Sequence, residues 1–376
     1  MIKFYNIHKQ DKNISEKIIT DIKKIIQSNS FINGSAVIDF EKNFAKYCGS
    51  KYAIGCANGT DAIFFALKAL GLKKGSEVIL PAMTYCSTIF SVINSGLKPI
   101  LADIEDNSPL INVDKIQKLI SKKTKVIMPV HLYGSVVDIQ KIKKIIKNKK
   151  IYIIDDCAQA HGAFDCSNCI NSKKNNCCEL GKRVGTLTDI SCFSLYPGKN
   201  LGAYGDAGII TTNNKKIYNY LKKITNLGSV KKFRHELIGF NSRLDTIQAS
   251  VLNNKLKHLD KNNKKRSLIA KIYNTEIKNP NVKKIEYTKG SVFHQYVIKI
   301  KKNYKIKLTK MFHNNNIEYG FHYPKSLNKL SALKNNFLKK KYLNSETLAN
   351  ECISLPIDPN LSKTNIKLII KLINSI

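Results

Sequence analysis

Between the apolar runs Ile190 to Leu195 and Ala207 to Thr211 the chain breaks into Pro197, Gly198, Asn200, Gly202 and Gly205, and a single lysine, Lys199, sits among them. Strand, tight loop, strand is the reading this pattern dictates. The loop glycines allow positive φ and close approach of the backbone to a ligand. Most lysines of this chain lie in Lys/Asn/Ile-rich surface sequence, whereas the neighbours of Lys199 are small, aromatic or apolar. Burial disfavours the charged form of an amine and lowers its pKa. An amine so activated can form a Schiff base with an aldehyde. A loop lysine paired with Asp206 is the plainer alternative.

The remaining sequence supplies a setting for that loop. Residues 1 to 11 read as an extended arm, and Ile14 to Ser28 and Ala36 to Tyr47 as amphipathic helices. Tyr52 to Gly55 is a short strand, followed by Asn58-Gly59-Thr60-Asp61 and a helix from Ala62 to Leu70. Strand, Gly-Thr turn and helix leave free backbone N–H groups at a helix N-terminus, which suits a phosphate. An ordinary Asp or Thr cap reads the same way. Glu77 to Pro81, Ile100 to Ile104, Lys125 to Val130 and Ile151 to Ile154 are further buried strands, with helical patterns between them and Tyr85 opening one helix. Strands alternating with helices give a doubly wound, mostly parallel α/β sheet with ligands at the strand C-terminal ends.

The strand at Ile151 runs into Asp155-Asp156 and on to Gln159 and His161. Two acids there can hold a metal, cap a helix or pair with a cationic ligand. A spacing of three puts Asp156 and Gln159 on one side of a following turn. Phe164 to Arg183 has no periodicity and carries Cys166, Cys169, Cys177 and Cys178. It reads as a surface insertion, in which four thiolates could hold a structural zinc. Adjacent Cys177 and Cys178 fit tetrahedral ligation poorly, so no metal is assigned. A helix from Asn214 to Leu227 follows the lysine loop, then Asn241 and a long helix to about Lys271. Residues 280 to 376 offer short strands such as Gln295 to Ile300, helices such as Leu308 to His313, and turns at His322-Tyr323-Pro324 and Leu355-Pro356. The expected division is a large α/β domain over 1–250 and a smaller α+β domain over 251–376.

The formal charge of +36 raises nucleic acid or a membrane as partner. The lysines are dispersed, though, and no basic stripe with interleaved aromatics stands out, so neither partner is expected. No apolar run reaches the roughly 18 residues of a membrane helix. The N-terminus lacks an apolar signal core, which reads as cytoplasmic. Ten cysteines in such a chain point to reduced thiols. Cys48, Cys56, Cys86, Cys157, Cys192 and Cys352 lie in apolar segments and read as core.

Gly59-Thr60, Asp156-x-x-Gln159, Ser194 and Lys199, in this order, make the chain resemble a fold-type I pyridoxal-phosphate enzyme. More narrowly it resembles the sugar aminotransferases of the DegT/DnrJ/EryC1/StrS family, from Phe31-x-Asn33-Gly34 to Leu355-Pro356. The resemblance implies pyridoxal 5′-phosphate as cofactor, with Lys199 as its covalent anchor and proton carrier. It places Asp156 at the pyridine nitrogen, Gln159 near the phenolic oxygen and Tyr85 on the ring face. Gly59, Thr60 and Ser194 would hold the phosphate. Asn241 matches a family Asn that reaches the phosphate from the other subunit, which implies a homodimer with shared sites. Lys199 argues against relatives that carry His there and remove a hydroxyl. Pro197 to Asp206 looks like enzymes acting at C3 of a nucleotide-linked hexose, and His322-Tyr323-Pro324 like a segment that contacts the sugar nucleotide. The expected reaction moves an amino group from L-glutamate to a keto sugar on dTDP or UDP, for amino-sugar and surface-polysaccharide synthesis. The same chemistry at C4, or a non-catalytic nucleic-acid-binding relative, are the alternatives. The cysteine insertion and Lys325-Ser326-Leu327-Asn328 depart from the family pattern.

Overall fold

The computed structural model describes residues 1–166, 181–333 and 340–376. Seven strands form the main sheet: β1 (Tyr52–Cys56), β2 (Glu77–Pro81), β3 (Lys98–Ala102), β4 (Thr124–Ile127), β5 (Tyr152–Asp156), β6 (Ile190–Ser194) and β7 (Gly208–Thr212). Their spatial order is β1-β7-β6-β5-β4-β2-β3. Only β7 runs against its neighbours, β1 and β6; every other pairing is parallel. Successive strand residues point to opposite faces, and both faces are covered. Ile79, Ile127, Ile153, Phe193 and Ile209 enter one core; Val78, Leu80, Val126, Ile154, Cys192 and Ile210 enter the other. This explains why the strands read as unbroken apolar runs.

A smaller antiparallel sheet joins β8 (Val282–Lys284), β9 (Tyr296–Ile300) and β10 (Cys352–Leu355). Its core takes residues from the helices Leu259–Glu276, Lys302–Asn314 and Lys363–Asn374. Ile2 also belongs to this core, so the N-terminal arm is docked. The arm is not extended throughout, because Ile7–Asp11 is helical with the Asn6 side chain accepting from Lys9 N–H.

Two other expectations are corrected. The long helix after Asn241 is two helices, Thr246–Leu256 and Leu259–Glu276, broken at Lys257 and His258. The first lies on the Ser35–Cys48 helix, where Asn253 Nδ2 donates to the Ala36 carbonyl at 2.9 Å. The second turns to fill the smaller core. In the lysine loop, Gly198, Gly202 and Gly205 do not adopt positive φ. Crowding is the reason for Gly202, whose added Cβ would lie 2.4 Å from the Pro197 carbonyl oxygen.

Candidate active site

The C-terminal ends of β1, β5 and β6 open onto one cavity of about 700 Å³, which the lysine loop and the segments at His294-Gln295 and His322-Tyr323 also line. Of the residues expected at the site, Gly59, Thr60, Tyr85, Asp156, Gln159, Ser194, Lys199, His322 and Tyr323 all line it. They come from five separate segments of chain, brought together by the fold.

After β1, the helix Gly59–Ala69 starts at the cavity wall, with Asn58 as N-cap accepting from Asp61 N–H at 2.8 Å. Its first N–H groups have no partner within the helix, which makes them anion donors. Thr60 Oγ1 donates to Ser87 Oγ at 2.8 Å, so that hydroxyl is held beside the helix start. A Cβ at Gly59 would come within 2.5 Å of the Ser194 Cβ. Only glycine lets the start of this helix approach the end of β6 so closely.

At the end of β5, Asp156 is buried. Thr88 Oγ1 donates to its Oδ2 at 2.9 Å and Ala158 N–H to its Oδ1 at 3.0 Å. Burial nevertheless raises the carboxyl pKa, opposed by these two bonds and by the charge of Lys199. Such a carboxylate calls for a further cation in the cavity to stay ionised. Asp155, its neighbour, points the other way. It is held by Thr188 Oγ1 at 2.6 Å, by His131 Nε2 at 3.1 Å and by the Cys157 thiol at 3.2 Å. Asp155 does not line the cavity, and three donors around it depend on its carboxylate.

Lys199 lies on the loop after β6, where its N–H closes a turn on the Tyr196 carbonyl at 2.9 Å. It makes no ion pair among the described residues, with Asp206 or any other acid. Burial lowers its pKa to about 8, against the opposing pull of Asp156. Gln159 is fixed by two bonds: Tyr133 N–H donates to its Oε1 at 2.6 Å, and its Nε2 donates to Tyr323 Oη at 2.8 Å. One amide hydrogen remains for a ligand. Tyr85 caps its helix in extended backbone and meets Tyr323 with ring centroids 5.4 Å apart.

Asn241 is the exception. It is exposed and lies outside its own chain's cavity. Nor does it start a helix: it bridges Asn226, and the next helix begins at Thr246 behind an extended Asp245. Thr246 N–H donates to the Phe31 carbonyl at 3.0 Å, which keeps the preceding residues extended.

Sequence reasoning missed Tyr5, Asn58, Thr88, His294 and Gln295. Asn58 was readable as a cap two residues after a strand. Thr88, in the first turn of the helix that Tyr85 caps, carried a weaker signal. Tyr5 and His294 carried none, because only tertiary contact brings them here. Among the cysteines, Cys86 is half-buried rather than core. Cys169, Cys177 and Cys178 lie outside the described residues, so the expectation of a metal-free insertion is not addressed by them.

The sequence profile of the DegT/DnrJ/EryC1/StrS aminotransferase family matches residues 12–374. The chain belongs to this family. It is an aminotransferase, and its cofactor is pyridoxal 5′-phosphate. Along its whole length this aminotransferase is 37% identical to the dTDP-3-amino-3,6-dideoxy-alpha-D-galactopyranose transaminase of Aneurinibacillus thermoaerophilus, covering 99% of that protein. It is 33% identical, over 98% of each chain, to the UDP-2-acetamido-2-deoxy-3-oxo-D-glucuronate aminotransferase of Pseudomonas aeruginosa. Among solved structures it is similar to DesV of S. venezuelae in complex with a ketimine intermediate, with a TM-score of 0.92 and 28% identity over 100% of this chain and 98% of that one. The side chains of this aminotransferase fit its cofactor. An amine of lowered pKa, a buried carboxylate wanting a cation, and a helix N-terminus flanked by hydroxyls match an aldehyde, a basic ring nitrogen and a phosphate. No helix of the described residues is long and apolar enough to cross a membrane.

Proposed function

We propose that the enzyme moves an amino group from L-glutamate to C3 of a keto-6-deoxyhexose carried on dTDP or UDP. Its setting would be the cytoplasmic synthesis of amino sugars for surface polysaccharide, and its working form a homodimer with shared sites. One observation carries the chemistry: Lys199 and Asp156 face a single cavity together with the start of the Gly59–Ala69 helix. The names and full-length coverage of the Aneurinibacillus and Pseudomonas relatives support the substrate class.

The cofactor, when bound, supplies an aldehyde to carry the amino group and a ring that takes up the electrons released at the substrate carbon. The chain's own residues do the rest. Lys199 Nζ would hold the aldehyde; once released, it would carry the proton between the substrate carbon and the carbon of that aldehyde. With a pKa lowered to about 8, an appreciable share of that amine is unprotonated near neutrality. The Asp156 carboxylate would sit against the ring nitrogen and hold its proton there. Gln159 would give its free amide hydrogen to the phenolic oxygen, and Tyr85 would cover one ring face. Gly59 and Thr60 N–H groups and the Ser194 hydroxyl would bind the phosphate. Asn241 would serve the phosphate of a second copy's site. His322 and Tyr323 would face the sugar nucleotide.

Mass spectrometry after incubation with glutamate and a panel of keto-sugar nucleotides tests this reading. A 3-amino product supports it. A 4-amino product alone, or no aminated sugar from a cofactor-loaded enzyme, overturns it.

A further inference from the structure

The N-terminal segment brings into the cavity a tyrosine that the cofactor chemistry does not use. Residues 2–6 are fastened along their length to the small domain. Ile2 N–H donates to the Asn316 carbonyl at 2.8 Å, and Glu318 N–H to the Ile2 carbonyl at 2.9 Å. Phe4 N–H donates to the Glu318 carboxylate at 2.7 Å, and Asn6 N–H to the Asp358 carboxylate at 2.9 Å. Phe4 stacks on His322 with centroids 5.7 Å apart, and Tyr5 stacks on His294 at 6.3 Å. Across the cavity, a Cβ on Gly198 would meet the Tyr5 ring at 3.4 Å. Tyr5 thus spans from the small domain to the residue beside Lys199, and it lines the cavity.

A chain of hydrogen bonds sets the direction of the Tyr5 hydroxyl. Asn200 Nδ2 donates to the Val292 carbonyl at 3.1 Å and to Asn263 Oδ1 at 2.9 Å. Asn200 therefore presents Oδ1 to His294 Nδ1, 3.1 Å away, and Nδ1 must carry the proton. His294 Nε2 is then an acceptor, and Gln295 Nε2 lies 3.5 Å from it. The same Gln295 nitrogen donates to Tyr5 Oη at 2.5 Å. With Tyr5 Oη accepting from Gln295, its own hydrogen is left over. Among the described residues it donates to no protein acceptor.

We propose that the Tyr5 hydroxyl donates a hydrogen bond to an oxygen of the keto sugar and sets specificity for that substrate, with Gln295 as its positioning residue. This rests on the sugar-aminotransferase reading above. The character of the wall favours a sugar over the carboxylate of the amino donor. Burial and the charge of Lys199 lower the pKa of His322 to about 4 and hold that of His294 well below its ordinary value, so both rings are neutral near pH 7. Lys199 is the only Lys or Arg among the described residues lining the cavity. A carboxylate seeks a cationic fork, whereas hydroxyls suit neutral donors set among aromatic faces.

The two half-reactions separate the substrates, and each is read from the cofactor absorbance in single turnover. For wild type, Tyr5→Phe and Gln295→Glu, the L-glutamate half-reaction is compared with that of a dTDP- or UDP-linked 3-keto-6-deoxyhexose. Tyr5→Phe keeps the ring packing and should lower the keto-sugar half-reaction about tenfold more than the glutamate one. Gln295→Glu, assayed at a pH where its carboxyl is ionised, presents only acceptors to Tyr5, turns the hydroxyl hydrogen away from the cavity and should give the same selective loss. Equal losses in both half-reactions, a larger loss with glutamate, or no loss overturn the proposal. So does a Gln295→Glu enzyme without the selective defect. If wild type reacts with glutamate but with no keto sugar, the sugar reading itself fails and the proposal falls with it.

Discussion

Asp156 and Lys199 act on each other across the cavity: the carboxylate resists the burial that lowers the amine's pKa, and the amine resists the burial that raises the carboxyl's. Neither group is neutralised by a direct ion pair among the described residues. Both groups line the same cavity, without a direct ion pair between them.

Replacing Asp156 by Asn keeps the shape and the hydrogen bond to Thr88 but removes the charge. The ring nitrogen then loses its anionic partner. Turnover should fall roughly a thousandfold, about 4 kcal/mol in the barrier, while the protein still binds cofactor. Steady-state kinetics on the folded, cofactor-loaded variant check this; near-normal turnover would remove Asp156 from its role.

The lowered pKa of Lys199 has a sign that can be measured. Only the unprotonated amine attacks an aldehyde, so cofactor uptake by the stripped protein should speed up as pH rises and level off above about 8. Stopped-flow absorbance at a series of pH values gives the midpoint. A midpoint near the ordinary lysine value of 10.5 would show that burial does not activate this amine.

Asp155→Ala should act on stability. It strips the acceptor from the buried His131 and Cys157, while Thr188 Oγ1 keeps the Ile190 carbonyl at 3.1 Å. A loss of about 3 kcal/mol in unfolding free energy is expected for buried donors left unpaired. Burial raises the Asp155 pKa, but the bonds and charge of its neighbours, His131 foremost, bring it below the ordinary value. Its contribution to stability is thus present above the carboxylate's unfolded pKa and lost as pH falls through the lower folded one. Denaturant unfolding at neutral pH checks the magnitude; an unchanged midpoint would contradict it.

Asn241 is testable by mixing. Asn241→Ala and Lys199→Ala chains are each expected to be inactive or poorly loaded alone. If Asn241 serves the other subunit's site, each mixed dimer has one site with both defects and one with neither. Activity should return on subunit exchange. A mixture that stays inactive after proven exchange would place both residues in one chain's site.

Most of the architecture was legible because it rests on short-range patterns. The run Val78-Ile79-Leu80 is apolar throughout since both faces of the parallel sheet are covered, and such runs announce buried strands directly. Lys199 stood out against its apolar surroundings, and Asp156 against a buried strand. What stayed hidden depends on long-range contact. Asp155 and Asp156 are adjacent acids in sequence, and only the pleat sends one to the cavity and the other to His131. The break at Lys257 and His258 has no proline or glycine to mark it. Tyr5 reaches the cavity through contacts with residues more than 280 positions away, Gln295 among them.

Borohydride reduction of the cofactor-loaded enzyme, followed by proteolysis and peptide mass spectrometry, tests the central claim most directly. Reduction fixes the cofactor to whichever amine holds its aldehyde. The structure predicts the label on Lys199, and none in a Lys199→Ala variant. A label on a different lysine, with Lys199 unmodified, would contradict it.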